Sequence, residues 1–537
     1  MNEIKSGVSR VVEGDHTLIL GFTECTCSLL EELGKARISD GGNGVFVVLS
    51  REPKDEVEQY VSNDALKLRG SRVIVRSGNP VSTRDLVKVS AASARQVVIL
   101  ADTAVDPEEA DARSIRTLVS LKARRWPTNG RIVVQCCNEA NRDLFEQLYD
   151  PEIVEVVIVG NIVAKLMAQS AFQPGLARVF GMMLGFDGDE FYSAEWPELT
   201  GCSFRDVTFR FEAAVAMGVL TAKGECIINP GWDYYIAPGD KVIVLAEDND
   251  TYSPAARPWL LDDHFELASA RTVTCFGLQA DGPQKVLVIG WNAKVEPLLL
   301  SLNSMMIEGS VVEFYSSVEV EQREEQLEKM EHPHEHITFK HIYVEDTKLT
   351  ARSELARLEH LHYDRIFVLA DSRRGKGGAD ECSLACVTQL KAISGEEKAH
   401  DLCPVVETCE DMTAEQLVAC GFTNFVHSNS LVSKALAAVV EDPAVNMIYA
   451  DFMSSLRNSF EFRRITEFLA RGQTVPEELS FWEIAYMSAC VGPVILVGWT
   501  VPSKNGKKEF QLNPKDKRTP RKWTPEDRLV VIRKVAD

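Results

Sequence analysis

The chain has 537 residues, of which 45% are hydrophobic and 26% charged, and a formal net charge of −21. Its length suits two to four domains with full cores. The acidic balance excludes bulk nucleic-acid binding, which needs a basic footprint, and docking of the average surface on anionic lipid. The 13 cysteines are spread thinly and contain no C-x-x-C pair, so neither a zinc ribbon nor a thioredoxin-type site is indicated. They read as buried, reduced thiols of a cytosolic protein.

The first residues, MNEIKSGVSRVVEGDHT, lack the apolar region of a secretory signal. No apolar run approaches the ~18–20 residues of a membrane-spanning helix. The nearest, residues 153–171, carries Glu155, Asn161, Lys165 and Gln169 and reads as a strand followed by an amphipathic helix.

In chain order, strands are predicted in HTLILGF, ending at Gly21, then at residues 45–49, at 73–75, in RQVVILAD ending at Asp102, and in RIVVQ. The series then recurs: QKVLVIGW with Gly290, residues 310–315, residues 337–339, DRIFVLAD ending at Asp371, and PVVET. Gly21 to Gly290 and Asp102 to Asp371 share one separation, 269 residues (290 − 21 and 371 − 102). A common register over several strands indicates a duplication. Apolar runs without period-two alternation, separated by helical patterns, predict parallel sheets covered by helices.

The expected fold class is therefore α/β: two tandem Rossmann-like doubly wound units, each followed by a smaller β-rich subdomain. The expected boundaries are 1–255 for the first unit (14–160 and 161–255), 256–280 for a linker, and 281–537 for the second unit (281–428 and 429–537). Asn229-Pro230 and Asn513-Pro514, with a P-x-D turn before the last strand of each copy, mark the small subdomains.

Several residue sets are candidates for function. Gly21 and Gly290 open degenerate dinucleotide turns, because Thr23, Thr26, Asn292 and Val295 stand where a fingerprint wants glycine. Glu52 after the second strand is placed to meet a ribose hydroxyl, or is a solvated loop acid. NAD is disfavoured on these grounds. Asp102, Asp106, Glu108, Glu109 and Asp111 follow the fourth strand, at the ligand-facing edge of an open α/β sheet, and offer carboxylates for Ca²⁺. The competing reading makes Glu108 and Asp111 helix N-terminal acids. Asp187, Asp189 and Glu190, in a Gly-rich turn, are a second partial Ca²⁺ pattern. Glu247, Asp248, Asp250, Asp262 and Asp263 read as a solvated linker. His332, His334, His336 and His341 could bind a transition metal or sit in a loop. The basic set Lys504, Lys507, Lys508, Lys515, Lys517, Arg518, Arg521 and Lys522 either docks on an acidic neighbour or forms a solvated hairpin. No nucleophile elbow, zinc-protease or P-loop motif occurs, so no enzyme is expected.

Long stretches carry a family resemblance: VIVRSGNPVSTRDLVKVSAASARQVVILAD (73–102), DARSIRTLVSLKA (111–123), AFQPGLARVF (171–180), LGFDGDEFY (184–192) and IINPGWDYYIAPGDKVIVLAEDNDTY (227–252). KVLVIGW, HSNSLVSKALAAVVED and RKWTPEDRLVVI add to it in the second copy. These resemble the RCK (regulator of K⁺ conductance) domains of gating rings and, more narrowly, the cytosolic part of CASTOR/POLLUX-type ion channels. The resemblance implies a tetrameric ring of tandem RCK units with RCK-C-like small subdomains and Ca²⁺ as regulator. It also implies a ligand-sensing role in cation transport across a membrane. The pore and filter of such channels are absent from this chain. It would therefore reach the membrane only through a pore domain of the same or a partner chain, this portion being cytosolic. The alternative is a soluble nucleotide or redox sensor with NAD-binding-type domains and no pore.

Overall fold

The computed structural model describes residues 9–534 apart from 40–41, 62–65, 104, 151, 260–281, 331–335, 359–361, 375–376, 396–402, 454–456, 470–473, 503–507 and 525–526. His332, His334, Asp262, Asp263, Lys504, Lys507 and most of the expected linker lie outside the described residues.

Runs of Val, Ile and Leu build the first sheet. Its strands are β1 (Thr17–Leu20), β2 (Val45–Ser50), β3 (Arg72–Ser77), β4 (Gln96–Ile99), β5 (Arg131–Cys136) and β6 (Val154–Ile158). They lie parallel in the order β3-β2-β1-β4-β5-β6. Parallel neighbours need long crossovers, and helices supply them, for example Thr26–Ser39 after β1 and Pro107–Lys122 after β4. The central strands β1 and β4 are buried along their whole length, as a sheet covered on both faces requires. Strand order reverses between β1 and β4, the place where such folds receive ligands.

A small antiparallel sheet follows: β7 (Glu190–Glu195), β8 (Ala214–Leu220), β9 (Cys226–Ile228) and β10 (Lys241–Ala246), in the order β7-β10-β8-β9. The whole series then repeats. The second parallel sheet holds β11 (Lys285–Ile289), β12 (Ser310–Ser316), β13 (Ile337–Tyr343), β14 (Arg365–Val368), β15 (Val405–Thr408) and β16 (Phe425–His427), in the order β13-β12-β11-β14-β15-β16. The last part contains β17 (Asn458–Arg463), β18 (Glu478–Leu479), β19 (Val494–Pro502), β20 (Lys508–Leu512), β21 (Arg521–Lys522) and β22 (Leu529–Lys534). Its four-stranded sheet runs β17-β22-β19-β20, and β18 pairs with β21 as a separate ribbon.

The duplication extends to irregularities. Register slips where β10 meets β8, at Gly218, and where β22 meets β19, at Gly498. A Cβ on Gly218 would sit 2.4 Å from the Ile227 carbonyl oxygen, and one on Gly498 2.1 Å from that of Gln511. Only a residue without a side chain lets the next strand approach so closely. Gly498→Ala is expected to lower the unfolding free energy by about 2–3 kcal/mol, as overpacking of a rigid sheet does. Thermal unfolding checks this, and a change of a few tenths would mean that the strands move apart freely.

The chain forms two compact units, and each takes material from both copies. The first comprises Met1–Ala177 and Gln279–Pro443, the second Arg178–Leu278 and Ala444–Asp537. The repeat thus runs along the chain while the units run across it. In the first unit the copies exchange their last helices. Val159–Phe172, after β6, packs on Val295–Met305 and on β14 to β16, while Ser428–Glu441, after β16, packs on Thr26–Ser39 and β5. One pair of hydrogen bonds fixes the exchange from both sides. The Gln96 amide donates to the Val440 carbonyl, and the Arg365 guanidinium donates to the Ala171 carbonyl at 2.7 Å. Donors and acceptors are each 269 residues apart (365 − 96 and 440 − 171).

Candidate functional site

The two β1-type turns come first, because Rossmann-like sheets bind ligand there. Gly21 and Gly290 have φ of +112° and +94°. A Cβ at Gly290 would meet the Leu369 carbonyl oxygen at 2.8 Å, and one at Gly21 would meet Leu100 at 3.4 Å. These two glycines are therefore needed by the fold itself. The positions beyond them are filled. The Thr23 amide donates to the hydroxyl of fully buried Thr26 at 2.8 Å. In the second copy Asn292 donates to the Ala370 carbonyl at 2.7 Å and to Glu407 at 2.9 Å, and accepts from the Lys294 amide at 2.9 Å. Side chains occupy the space through which a pyrophosphate would approach the main chain. Glu52 is exposed just beyond β2, its amide donating to Ser50 Oγ at 3.0 Å.

Glu407 on β15 lies wholly buried at the switch point of the second copy. Its carboxylate meets Lys294 Nζ at 2.7 Å and accepts from Ser428 Oγ at 2.6 Å and the Ala370 amide at 3.0 Å. Burial pushes its pKa up, but the Lys294 charge and these hydrogen bonds outweigh burial and hold it below 4.5. In the first copy the same rung carries Gln135, whose side-chain oxygen accepts from the Ala101 amide at 3.2 Å. Cys25 there takes the place of Lys294. Where the first copy has the neutral Cys25 and Gln135, the second has the Lys294–Glu407 ion pair, a difference that composition and motif reading did not single out.

The acids after β4 have protein partners. Asp111 is fully buried and accepts from the Cys137 amide at 2.7 Å, the Asn138 amide at 3.0 Å and the Asn141 side chain at 3.0 Å. Asp380, 269 residues on (380 − 111), accepts from the Cys409 amide at 2.9 Å and the Glu410 amide at 2.8 Å. Both carboxylates thus fasten the loop past the fifth strand to the preceding helix. Asp106 caps that helix in the first copy, accepting from the Glu108 amide at 3.0 Å. Asp102 pairs with Arg113 at 2.5 Å, and Glu108 accepts from Asn138 and Asn141. Asp187 is exposed in the turn before β7, Glu190 begins β7, and Asp189 accepts from the Asn513 side chain at 2.7 Å. Burial pushes the Asp189 pKa up. Ca²⁺ takes six to eight oxygens. Among the described residues no group of three or more His, Cys, Asp or Glu side chains is arranged to hold a metal ion. Among the described residues, Asp111, Asp106, Asp102, Glu108 and Asp189 each meet protein donors.

In the second unit the small sheets are joined reciprocally as well. Asn229 and Asn513 both adopt left-handed backbone, φ 53° and 38°, which asparagine tolerates. Asn229 donates to the Pro493 carbonyl at 2.5 Å, and Asn513 to the Ala213 carbonyl at 3.0 Å. Each acceptor immediately precedes β19 or β8. The basic stretch finds acids of the first copy here: Lys515 pairs with Glu247 at 2.7 Å, and Arg518 with Glu212. Lys517 is buried and donates to the carbonyls of Glu212 at 2.6 Å and Pro514 at 3.0 Å and to the Asn513 side chain at 2.8 Å.

Burial pushes the Lys517 pKa down to about 7, although Asp189 and Glu212 pull upward. Between about 7 and the ordinary value of 10.5 the unfolded chain holds one more proton than the folded one. Stability contributed by this group therefore rises with pH across that window. The difference in unfolding free energy between the natural chain and Lys517→Met is expected to climb over that range, and a flat difference would refute the assignment.

Two family models match this chain. One is described as Castor and Pollux, part of voltage-gated ion channel, over residues 160–260, and the other as calcium-activated potassium channel slowpoke-like RCK domain, over residues 14–136. The chain is 30% identical to the probable ion channel POLLUX of Arabidopsis thaliana, across 99% of this chain and 66% of that one. It is also 30% identical to the ion channel CASTOR of Lotus japonicus, across 99% of this chain and 64% of that one. The chain belongs to the CASTOR/POLLUX family. It spans about two thirds of the length of these CASTOR and POLLUX relatives.

In this CASTOR/POLLUX chain the RCK model runs from before β1 to the end of β5. The Castor and Pollux model begins in the exchanged helix Val159–Phe172 and covers the first small sheet. The fold is that of the human SLO3 gating ring, with a TM-score of 0.65 at 15% identity, covering 97% of this chain and 100% of that one. No helix among the described residues is long and apolar enough to cross a membrane.

Proposed function

We propose that this chain is the ligand-sensing gating-ring module of a cation channel and contributes to monoatomic ion transport through a pore domain of the same or a partner chain. Family membership supports this reading, since the relatives carry the name of ion channels. The observation that carries it is the tandem RCK arrangement itself, two copies with one strand order. Four chains would close a ring of eight such copies. Ligand shifts the ring between two arrangements only if it binds one of them more tightly. The ring then pulls on pore-lining helices. Ca²⁺ is the regulator that the family resemblance brings. The reading involves no catalytic step.

Light scattering of the purified chain with and without Ca²⁺ tests the proposal. The mass of four chains is expected, in at least one condition. A strict monomer in both overturns ring assembly. Calorimetric heat with NAD(H) and none with Ca²⁺ would favour a nucleotide sensor instead.

A further inference from the structure

The helix Gly378–Ser394, after β14 in the second copy, carries two cysteines one turn apart, Cys382 and Cys386. Residues four apart lie on one face of a helix. That face meets the core of the second sheet. Cys386 has no exposed surface there, whereas Cys382 packs at the edge of the core, is half-buried and keeps a path to solvent.

The turn Ser372–Arg374 packs on this helix, and the Arg374 charge bears on both thiols. Arg374 gives Nη2 to Asp346. Its Nε–H is buried without a hydrogen-bond partner among the described residues, and Asp371 Oδ2 stands 3.9 Å away, beyond hydrogen-bond reach. The Cys386 thiol donates to the Cys382 sulfur. That bond and the Arg374 charge outweigh burial and the nearby Asp371 and Asp346, and hold the Cys382 pKa below 9.0. Other thiols of the chain show the opposite. Burial pushes Cys25 up to about 11 and Cys137 and Cys226 up to about 12. Cys403, more exposed than Cys382, is also pushed up.

We propose that Cys382 is a peroxide-sensing thiol, oxidised by hydrogen peroxide to a sulfenic acid. The thiolate sulfur attacks one peroxide oxygen, the O–O bond breaks, and hydroxide leaves with the electron pair and takes a proton from solvent to become water. Sulfur gives up two electrons and the peroxide accepts them. The new oxygen accepts from Arg374 Nε–H, which the reduced protein leaves without an acceptor. Oxidation stops at this product on the intact helix. A disulfide wants Cβ atoms roughly 3.5–4.5 Å apart, and residues four apart on a helix hold them at about 5–6 Å. The inference rests on this thiol pair and stands apart from the channel reading.

The test treats the reduced full chain with hydrogen peroxide in the presence of dimedone, which traps sulfenic acids, and locates the adduct by fragmentation in peptide mass spectrometry. Cys382 is expected to carry about tenfold more adduct than the more exposed Cys403, because the thiolate is the species that reacts. Alkylation by iodoacetamide, followed against pH, should show a midpoint for Cys382 below that for Cys403. Arg374→Met should raise the Cys382 midpoint and slow its oxidation several-fold. Cys386→Ala removes the donor and should act in the same direction, whereas Cys386→Ser keeps a donor and should keep the natural rate. Should Cys386→Ala not fold, Arg374→Met and the midpoint of the natural chain decide. More adduct on Cys403 than on Cys382, a Cys382–Cys386 disulfide in place of the adduct, or a Cys382 midpoint unmoved in Arg374→Met would each overturn the proposal.

Discussion

Asp111→Ala is expected to lower the unfolding free energy of the first unit by about 2–4 kcal/mol, the cost of stranding buried donors. The carboxylate is fully buried and receives two main-chain amides and the Asn141 side chain. Alanine leaves both main-chain amides without that acceptor, while Asn141 keeps only Glu108, and it opens space besides. Asp380→Ala should cost a similar amount, because Asp380 receives the Cys409 and Glu410 amides in the same way. Urea unfolding measures both. The loss should be equal with and without Ca²⁺. If Asp111→Ala unfolded normally but abolished a calcium response, the residue would be a cation ligand and not a fastener of the loop after β5.

Lys294→Ala should cost about 3–5 kcal/mol, because it leaves a buried carboxylate without its counter-charge. Glu407 has no exposed surface, and Lys294 Nζ is 2.7 Å from it. The double change Lys294→Cys with Glu407→Gln copies the first repeat, where Cys25 and Gln135 hold the same places. It should recover most of the loss, leaving less than about 1.5 kcal/mol, since removing both charges removes the desolvation penalty. The pH dependence follows from the two directions. Glu407 is held below 4.5, so its contribution is present above that value and lost as pH falls through the folded-state pKa. Burial pulls Lys294 down, but Glu407 outweighs it and holds the lysine above 10.5, so its contribution is lost only as pH rises beyond that. The natural chain should therefore keep the pair across the neutral range. A Lys294→Ala variant as stable as the natural chain would show that the pair is unimportant, and a double variant no more stable than the single one would show that the stranded charge is not the source of the loss.

The duplication was legible because the strands that carry it are buried on both faces and so read as uninterrupted Val, Ile and Leu runs. The separation of 269 between Gly21 and Gly290 reappears in the coordinates at Gln96 and Arg365, and at Asp111 and Asp380. Aligning RIVVQ with PVVET end to end sets Gln135 against Thr408, whereas the strand register sets it against Glu407. The slip hides the charge change, since an insertion precedes the fifth strand of the second copy. The acidic cluster could be located in sequence but not interpreted there. Whether a carboxylate faces a cation or a main-chain amide depends on where the loop after the fifth strand returns, and no local pattern encodes that. The exchanged helices were invisible for the same reason: their amphipathic faces demand a cover without naming it.

That exchange bears on how the molecule can be divided. Since the chain passes between its compact units after residues 177, 278 and 443, each half supplies one sheet to each unit. Cutting the backbone once between the copies would leave both bodies noncovalently stitched, each built from two fragments. Separately expressed halves should accordingly be insoluble alone and should complement one another when produced together.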